Sequence, residues 1–167
     1  MTSYHGKIIA GNKKFGSVVS RFNQYITDRL LEGAVTTLRK AGVPDKNIKI
    51  VWVPGGLEVP FFCKRLKTQK HCDVVIALSC VIRGGTYHFE CVSNELTHGI
   101  DQVALETGTP IATGLITVDN LEQAIDRAGL KHGNKGEQAA LAALEIASLS
   151  EQLSLKAKNF KTRKRKK

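Results

Sequence analysis

Features that would mark a membrane, secreted or metal-binding protein are missing from this sequence. No apolar run approaches the roughly 18 residues that a membrane-spanning helix needs. Residues 1–13 also lack the apolar centre of a signal peptide. We therefore expect a cytoplasmic protein without membrane contact. Its 167 residues fit one domain with a sizeable core.

Cysteine is also scarce. The four cysteines, Cys63, Cys72, Cys80 and Cys91, include no Cys-x-x-Cys pair and fall in or beside regions predicted to be helix or strand. This pattern favours reduced, structural thiols of a cytosolic protein over disulfides or metal ligands. Because no set of His, Cys and Asp has metal-binding spacing either, we expect no metal and no other cofactor.

Acidic residues are absent from the C-terminal end of the chain. The net charge is +10, and residues 156–167 contain eight lysines and arginines without one acid, so residues 1–155 carry only +2. We predict a folded domain over residues 1–155 and a disordered basic tail over residues 156–167. The near-neutral domain argues against a nucleic-acid-binding module, although the tail could hold RNA or an acidic partner through nonspecific charge contacts.

What the sequence does contain is a regular alternation of short apolar segments with segments of helical periodicity. Each apolar segment predicts a buried strand, and the four strands are Phe15–Ser20, Ile48–Val53, Asp73–Ser79 and Pro110–Ile116. Strands that alternate with crossover helices predict a three-layer α/β sandwich. Its central, mainly parallel four-stranded sheet would carry helices on both faces.

Two helix starts are predicted from capping patterns. Asp119, followed by Glu122, resembles a capping box and predicts a short helix with Asp119 as its N-cap. Asn134, followed by Glu137, predicts in the same way the start of an alanine-rich last helix.

The run from Cys80 to Glu90 is the most informative part of the sequence. It contains Gly84-Gly85, a pair that lets a ligand approach the backbone. A helix that opens near Thr86 would offer free N–H groups to a phosphate, with His88 in its first turn beside the ligand. The alternative is a tight turn between strand and helix that carries a solvent-exposed histidine.

Other unusual residues lie at or near the ends of the predicted strands. The tripeptide Arg21-Phe22-Asn23 follows the first strand, Gly55-Gly56-Leu57-Glu58 follows the second, and Thr113-Gly114 lies within the fourth. In a parallel sheet the carboxyl ends of the strands share one edge, where ligands of α/β proteins bind. The sequence therefore predicts one ligand site at this edge.

Together these stretches resemble the 6,7-dimethyl-8-ribityllumazine synthase family, enzymes of riboflavin biosynthesis with a flavodoxin-like fold. The resemblance extends over about residues 14–150 and rests on six stretches in combination: Ser20–Asn23, Val53–Pro60, Cys80–Phe89, Gly114–Thr117, Glu122–Gly129 and Asn134–Gly136. It implies a transferase that condenses 5-amino-6-(D-ribitylamino)uracil with 3,4-dihydroxy-2-butanone 4-phosphate and releases phosphate and water. It also implies that no metal or organic cofactor takes part.

The resemblance implies which residues bind the pyrimidine substrate. Phe22 would stack on the pyrimidine ring, and Asn23 and Glu58 would hydrogen-bond the ribityl chain. The other members of this substrate-binding set are Gly56, Leu57, Cys80, Val81 and Ile82. Without the resemblance, Phe22 would be interpreted as a core aromatic and Glu58 as a first-turn acid that favours the helix dipole.

The resemblance also implies a phosphate-binding set. Gly85 and Thr86 would donate hydrogen bonds to the phosphate, Arg127 would complete the grip, and Lys135 would lie nearby as a further cation. His88 would be the catalytic proton shuttle, because imidazole can both take and give a proton near neutral pH. The alternative for Arg127 and Lys135 is an ordinary solvent-facing cation.

Three positions depart from the family pattern. In the phosphate turn the family often has Asp or Ala where Gly85 stands, and the backbone donors are kept. Thr113 stands where a large aromatic from the neighbouring subunit often covers the pyrimidine, and Gln138 stands where an acid is usual. Glu137 cannot replace that acid, because one residue turns a helical side chain by about 100°. The sequence alone therefore leaves open which group covers the pyrimidine and which group pairs with His88 or Lys135.

The resemblance implies a homo-oligomer built from pentamers, with each active site shared between neighbours. Thr113, Arg127 and Lys135 would come from the second subunit. The compact connection over residues 129–136 favours a sixty-subunit icosahedral shell over a free pentamer, and such a shell could enclose riboflavin synthase. Alternatives are a shell protein without catalysis and a flavodoxin-like phosphate binder.

Overall fold

A four-stranded parallel sheet forms the centre of the computed structural model, which describes the main chain of residues 1–164 and the side chains of residues 1–154. The strands are β1 (Phe15–Ser20), β2 (Ile48–Val53), β3 (Val74–Ile82) and β4 (Ile111–Val118). They lie in the order β2-β1-β3-β4 and pair in parallel throughout. The predicted α/β class with a central parallel sheet is confirmed.

Five α-helices and one short 3₁₀ turn, Asp45–Asn47, accompany the strands within the described residues, and the last two helices follow the last strand. The helices are α1 (Gln24–Lys40), α2 (Val59–Lys70), α3 (His88–Thr107), α4 (Leu121–Arg127) and α5 (Lys135–Lys164). Helices α1 and α5 pack together on one face of the sheet, and α2 and α3 pack together on the other. Among these helices, none is long and apolar enough to cross a membrane.

Strand β3 is buried on both faces, so its alternating side chains supply two cores. Ile76, Leu78 and Cys80 pack into the core under α1 and α5, whereas Val75 and Ala77 pack into the core under α2 and α3. This alternation follows from the period of two along a strand. It makes β3 the strand on which the rest of the fold is assembled.

Helix α5 approaches its neighbours closely because the start of its core face consists mainly of small residues. A Cβ added to Gly136 would collide with the main chain of α1 at Leu30. Ala139, Ala140 and Ala143 are buried on the same helix. The alanine-rich last helix predicted from the sequence is therefore present and packs against α1.

Asn134 and Asn120 cap the two C-terminal helices. Asn134 Oδ1 accepts hydrogen bonds from the N–H groups of Gly136 and Glu137, at 2.8 and 3.1 Å. For α4 the prediction of Asp119 as N-cap is wrong by one residue. Asn120 Oδ1 accepts from the Gln123 N–H at 3.0 Å, and Gln123 Oε1 in turn accepts from the Asp119 N–H at 3.0 Å. Two amide side chains thus do the capping where an acidic pair was predicted, and Gln123 reaches the N–H one residue before the N-cap.

Strands β3 and β4 are both longer than the sequence pattern indicated. Their pairing continues through Cys80 opposite Ile116 to Ile82 opposite Val118. Cys80, Val81 and Ile82 are therefore strand residues that project beyond the end of β1, which stops at Ser20. This projection creates one wall of the cleft described below.

The predicted tail begins inside α5 as the structure bounds it. Residues 156–164 belong to this helix, and residues 165–167 lie outside the described residues. The division into a domain of residues 1–155 and a disordered tail stays a prediction.

Candidate functional site

A cleft of about 460 Å³ opens at the carboxyl ends of β1, β2 and β3. Its size suits a small-molecule ligand. Its walls come from the connections after these strands and from the first turns of α3. The lining residues are Phe22, Pro54, Gly55, Gly56, Leu57, Glu58, Ser79, Cys80, Val81, Ile82, Gly84, Thr86, His88, Phe89 and Val92.

Most of the residues predicted for the site lie in this cleft. Nine of them line it: Phe22, Gly56, Leu57, Glu58, Cys80, Val81, Ile82, Thr86 and His88. Two more are adjacent, since Asn23 follows Phe22 and Gly85 lies between Gly84 and Thr86. Three are elsewhere on the chain: Thr113, Arg127 and Lys135 do not line the cleft of their own subunit.

Phe22 presents its ring to solvent at the cleft. Its side chain is 66% exposed, so it is not the core aromatic of the alternative interpretation. The main chain beneath it is fixed, because the N–H groups of Arg21 and Phe22 donate to the carbonyls of Val53 and Pro54 at 2.8 and 3.1 Å. A fixed backbone with an exposed aromatic face is suited to stacking on a planar ligand.

Asn23 ties the end of β1 to β3. Its backbone is left-handed, with φ 58° and ψ 46°, a conformation that asparagine tolerates better than most residues. From there its side-chain Nδ2 donates to the carbonyl of Cys80 at 3.0 Å. One donor of the amide is thus used inside the protein, and the rest of the group remains beside the cleft.

Glu58 orders the turn that follows β2. Its Oε2 accepts a hydrogen bond from the Gly55 N–H at 2.8 Å, and its side chain also forms part of the cleft wall. Gly56 in the same turn is buried, and a Cβ there would lie 3.3 Å from Leu96 of α3. The turn therefore packs closely on α3 while it turns a carboxylate toward the cleft.

The connection after β3 leaves its backbone open. Gly84 and Gly85 have no atom within 4 Å of a Cβ built on either residue. Within the described part of the chain, their N–H groups donate to no protein acceptor. Thr86 and His88 lie in the cleft wall immediately after them, and His88 is the first residue of α3. Free N–H groups at a helix start suit an anion.

Arg83 is a residue of this region that the sequence did not single out. Its Nε donates to Asp119 Oδ1 at 2.8 Å, and another guanidinium nitrogen donates to Glu90 Oε1. The hydrogen bond from Arg83 holds the pKa of Glu90 below its usual value. We refer to Arg83, Glu90 and Asp119 as the Arg83 clamp. No local pattern indicates it, because Arg83 and Asp119 are 36 residues apart in sequence.

The cysteines are unreactive where they are buried. Burial raises the pKa of Cys80 and of Cys63 to about 12, and it also raises the pKa of Cys72. Cys80 therefore stays a neutral thiol in the cleft wall and is not a nucleophile at neutral pH. Cys91 differs from the other three because it is exposed on α3.

The three predicted residues outside the cleft have partners of their own or face solvent. Thr113 is exposed on β4. A guanidinium nitrogen of Arg127 donates to the Gln123 carbonyl at 3.1 Å, and Lys135 Nζ donates to Gln138 Oε1 at 2.8 Å. The amide oxygen of Gln138 thus accepts a hydrogen bond from Lys135, at the position where the family pattern has an acid. Among the described residues, no three His, Cys, Asp or Glu side chains are grouped so that they could hold a metal ion.

Comparison with known proteins decides the family. The sequence model of 6,7-dimethyl-8-ribityllumazine synthase matches residues 12–151. The chain belongs to the lumazine synthase family. It is also 46% identical to a protein of Clostridium kluyveri named 6,7-dimethyl-8-ribityllumazine synthase, over 153 residues that cover 92% of this chain and 99% of that relative.

Membership of the lumazine synthase family places the chain in riboflavin biosynthesis. It is a transferase that carries out the condensation step yielding 6,7-dimethyl-8-ribityllumazine. The resemblance drawn from the six sequence stretches is thereby confirmed. The family match ends at residue 151, before the first lysine of the basic C-terminal segment.

Proposed function

We propose that the cleft is where 5-amino-6-(D-ribitylamino)uracil and 3,4-dihydroxy-2-butanone 4-phosphate are joined. The observation that carries this proposal is that one cavity gathers Phe22, His88 and the open backbone of Gly84. These supply an aromatic face, a proton carrier and anion-binding N–H groups within one small volume. The reaction needs each of them, and holding two reactants together in one cleft is itself a large source of rate enhancement.

The pyrimidine ring fits the side of the cleft formed by Phe22 and the end of β3. Phe22 would stack on the ring, while Cys80, Val81 and Ile82 would border it. These strand residues are buried or half-buried, so their contribution to the ring is apolar contact and backbone hydrogen bonding. Asn23 and Glu58, at the rims of the neighbouring turns, would hydrogen-bond the ribityl chain. Gly56 and Leu57 complete this wall.

The phosphate of the butanone fits the connection between β3 and α3. Gly85 and Thr86 would donate hydrogen bonds to it, and the positive end of the α3 dipole favours the negative charge. His88, one turn from that position, would move protons between the amine, the carbonyl and the leaving phosphate. The chemistry requires only acid–base steps and elimination, so it needs no metal.

We further propose that each cleft is completed by a neighbouring subunit of a pentamer. Arg127, Lys135 and Thr113 would enter from that neighbour, which explains why none of them lines the cleft of its own chain. The connection between α4 and α5 is short and internally hydrogen-bonded, with the Gly129 N–H donating to the Gly133 carbonyl at 3.0 Å. This compact link supports assembly of pentamers into a sixty-subunit shell.

The remaining proposals concern the surroundings of the enzyme. The basic segment over residues 156–167 would bind RNA or another polyanion without sequence specificity, since it holds eight cations and no acid. A shell of this kind would have room for riboflavin synthase, the enzyme that uses its product. The compartment we propose is the cytoplasm.

The direct test is to mix the purified protein with both substrates and record the absorbance and green fluorescence of the lumazine. We expect product without added metal and an unchanged rate after treatment with a chelator. Omission of either substrate is the control. Absence of lumazine with both substrates present would refute the proposed function, and a rate lost to chelator and restored by a divalent ion would refute the metal-free reaction.

A further inference from the structure

The Arg83 clamp joins three elements at the edge of the proposed phosphate site. Arg83 directly follows β3, Glu90 is the third residue of α3, and Asp119 directly follows β4. Besides its two side-chain ion pairs, Arg83 donates its main-chain N–H to the Val118 carbonyl at 2.8 Å. The ends of two strands and the start of a helix are therefore fixed to one side chain.

The clamp also contacts a residue of the cleft wall. The guanidinium carbon of Arg83 lies 4.3 Å from the centre of the Phe89 ring, and Phe89 lines the cleft beside His88. Stacking of a guanidinium on an aromatic face restricts both groups. Arg83 thus holds the first turn of α3 at two points, through the Glu90 carboxylate and the Phe89 ring.

The segment between these fixed points has little support of its own. Residues 83–88 are all exposed, and no atom lies within 4 Å of a Cβ built on Gly84 or Gly85. Two consecutive glycines also carry the greatest backbone freedom of any residues. The clamp holds both ends of this flexible connection, because Arg83 lies at its start and Glu90 lies just after its end.

The charges of the clamp indicate that Arg83 is not itself a phosphate ligand. One guanidinium faces two carboxylates, so the three side chains sum to −1. The donors of Arg83 that make these ion pairs are occupied by the protein. A phosphate at Gly85 would accept hydrogen bonds from backbone N–H groups. The guanidinium of Arg83 is already neutralised by Glu90 and Asp119.

We propose that Arg83 is a positioning residue that presets the Gly84–Tyr87 connection and the start of α3 for the phosphorylated substrate. This inference rests on the proposed function, because it concerns the same cleft. Arg83 acts through the backbone donors of this connection, which its contacts with Phe89 and Glu90 hold from the side of α3. Preset donors do not have to be ordered when the substrate binds, which favours binding of the phosphate.

The test compares kcat/KM for each substrate in Arg83→Ala, Glu90→Gln and Asp119→Asn. We expect each variant to lower kcat/KM for the butanone phosphate by about tenfold or more, and that for the pyrimidine by roughly twofold at most, since misplacement of about 1 Å is already costly. Arg83→Lys should be intermediate, because lysine cannot bind two carboxylates in the fork geometry of arginine. The double variant Arg83→Ala/Glu90→Gln should be no worse than Arg83→Ala, as expected for residues that act as a unit.

Arg39→Ala is the matched control. Arg39 makes a two-bond ion pair with the exposed Asp45, at 2.8 and 3.0 Å, and neither residue lines the cleft. Its kinetic constants should equal those of the parent protein. Circular dichroism checks that each variant is folded, and if Arg83→Ala is not, Glu90→Gln and Asp119→Asn decide the question because they keep Arg83.

Two results would overturn the inference while leaving the proposed function intact. If the parent forms lumazine and the clamp variants keep its kcat/KM for both substrates, the clamp has no positioning role. If Glu90→Gln and Asp119→Asn instead improve use of the butanone phosphate, the freed guanidinium is a direct phosphate ligand. A parent protein that forms no lumazine would overturn the proposed function itself.

Discussion

At the level of single residues, the cleft combines side chains from separate connections of the fold. Phe22 follows β1, Glu58 precedes α2 and His88 begins α3. The main chain of Phe22 is held by its N–H bond to the Pro54 carbonyl, and the side chain of Glu58 by the bond it accepts from the Gly55 N–H. A change in one of these side chains should therefore alter one task and leave the others in place.

His88→Ala should lower kcat by about 10²–10⁴-fold, the usual worth of a positioned acid–base group. Some activity should remain, because the cleft still holds the two reactants together. Steady-state lumazine formation measures this. His98→Ala is the matched control, since His98 is an exposed histidine of the same helix that does not line the cleft. A variant that keeps parental kcat would remove His88 from the mechanism.

Arg127→Ala should raise the KM for the butanone phosphate by about tenfold or more, because hydrogen bonds to a charged group are worth about 1.5–3 kcal/mol. The KM for the pyrimidine substrate provides the internal control and should stay near the parental value. Equal KM values for the butanone phosphate in variant and parent would show that Arg127 does not contact the phosphate.

At the level of elements, asparagine side chains connect the C-terminal helices to the rest of the domain. Asn134 caps α5 through its Oδ1, and its Nδ2 donates to the carbonyls of Arg29 and Ala128 at 2.9 and 3.2 Å. It therefore links α1, the end of α4 and the start of α5. Asn120 caps α4 through one bond only. The two residues use the same chemistry with very different numbers of partners.

Asn134→Ala should lower the free energy of unfolding by about 2–3 kcal/mol, and Asn120→Ala by about 1 kcal/mol. The difference arises because loss of the Asn134 amide leaves two helix N–H groups and two carbonyls without their partner. Loss of the Asn120 amide leaves one N–H group without its partner. Urea unfolding followed by circular dichroism measures both. Equal losses would mean that the links from Asn134 to α1 and α4 contribute nothing.

The elements also show what the sequence could and could not predict. The bounds of β1 and β2 agree with the apolar runs, because these strands are short and end at turn residues. The ends of β3 and β4 were underestimated, since residues such as Ile82 and Val118 are held in strands by each other and not by local preference. The N-cap of α4 was misplaced by one residue because Asp119 and Asn120 are both good capping residues.

The residues of the candidate site also divide into those that the sequence could predict and those that it could not. Residues on the strand-end connections, such as Phe22 and His88, were found because turn residues and an apolar strand mark their positions. Arg83 was missed because its partner Asp119 is distant in sequence. Thr113, Arg127 and Lys135 are predicted only from the resemblance, and they do not line the cleft of their own chain.

At the level of the whole molecule, the surface of one chain leaves large apolar side chains uncovered. Ile50 and Trp52 are exposed on the edge strand β2, and Phe61 is exposed on the neighbouring α2. An edge strand with apolar side chains is prone to associate with another chain. These residues give a physical reason, besides the proposed shared cleft, for the chain to form an oligomer.

Light scattering should report an oligomer built from pentamers. Chains of 18.3 kDa give about 92 kDa for a pentamer and about 1.1 MDa for a closed shell of sixty. We expect the shell, and we expect salt to favour it because the basic C-terminal segments repel one another less when screened. A mass of one pentamer at every salt concentration would refute the shell, and a fully active monomer would refute the shared cleft.

The strand order has a consequence for the rate at which buried amides exchange with deuterium. Strands β1 and β3 have a partner on each side, whereas β2 and β4 have one within the chain. Amides of the central strands, such as Val18 and Ile76, should therefore exchange only through global unfolding, and those at the outer side of β4 should exchange through smaller local openings. Mass-spectrometric exchange should show the slowest uptake in β1 and β3, and equal uptake in β4 would contradict this order. The glycine connection proposed to receive the phosphate directly follows β3 and is exposed, so its amides should exchange fast while those of the adjoining strand stay protected.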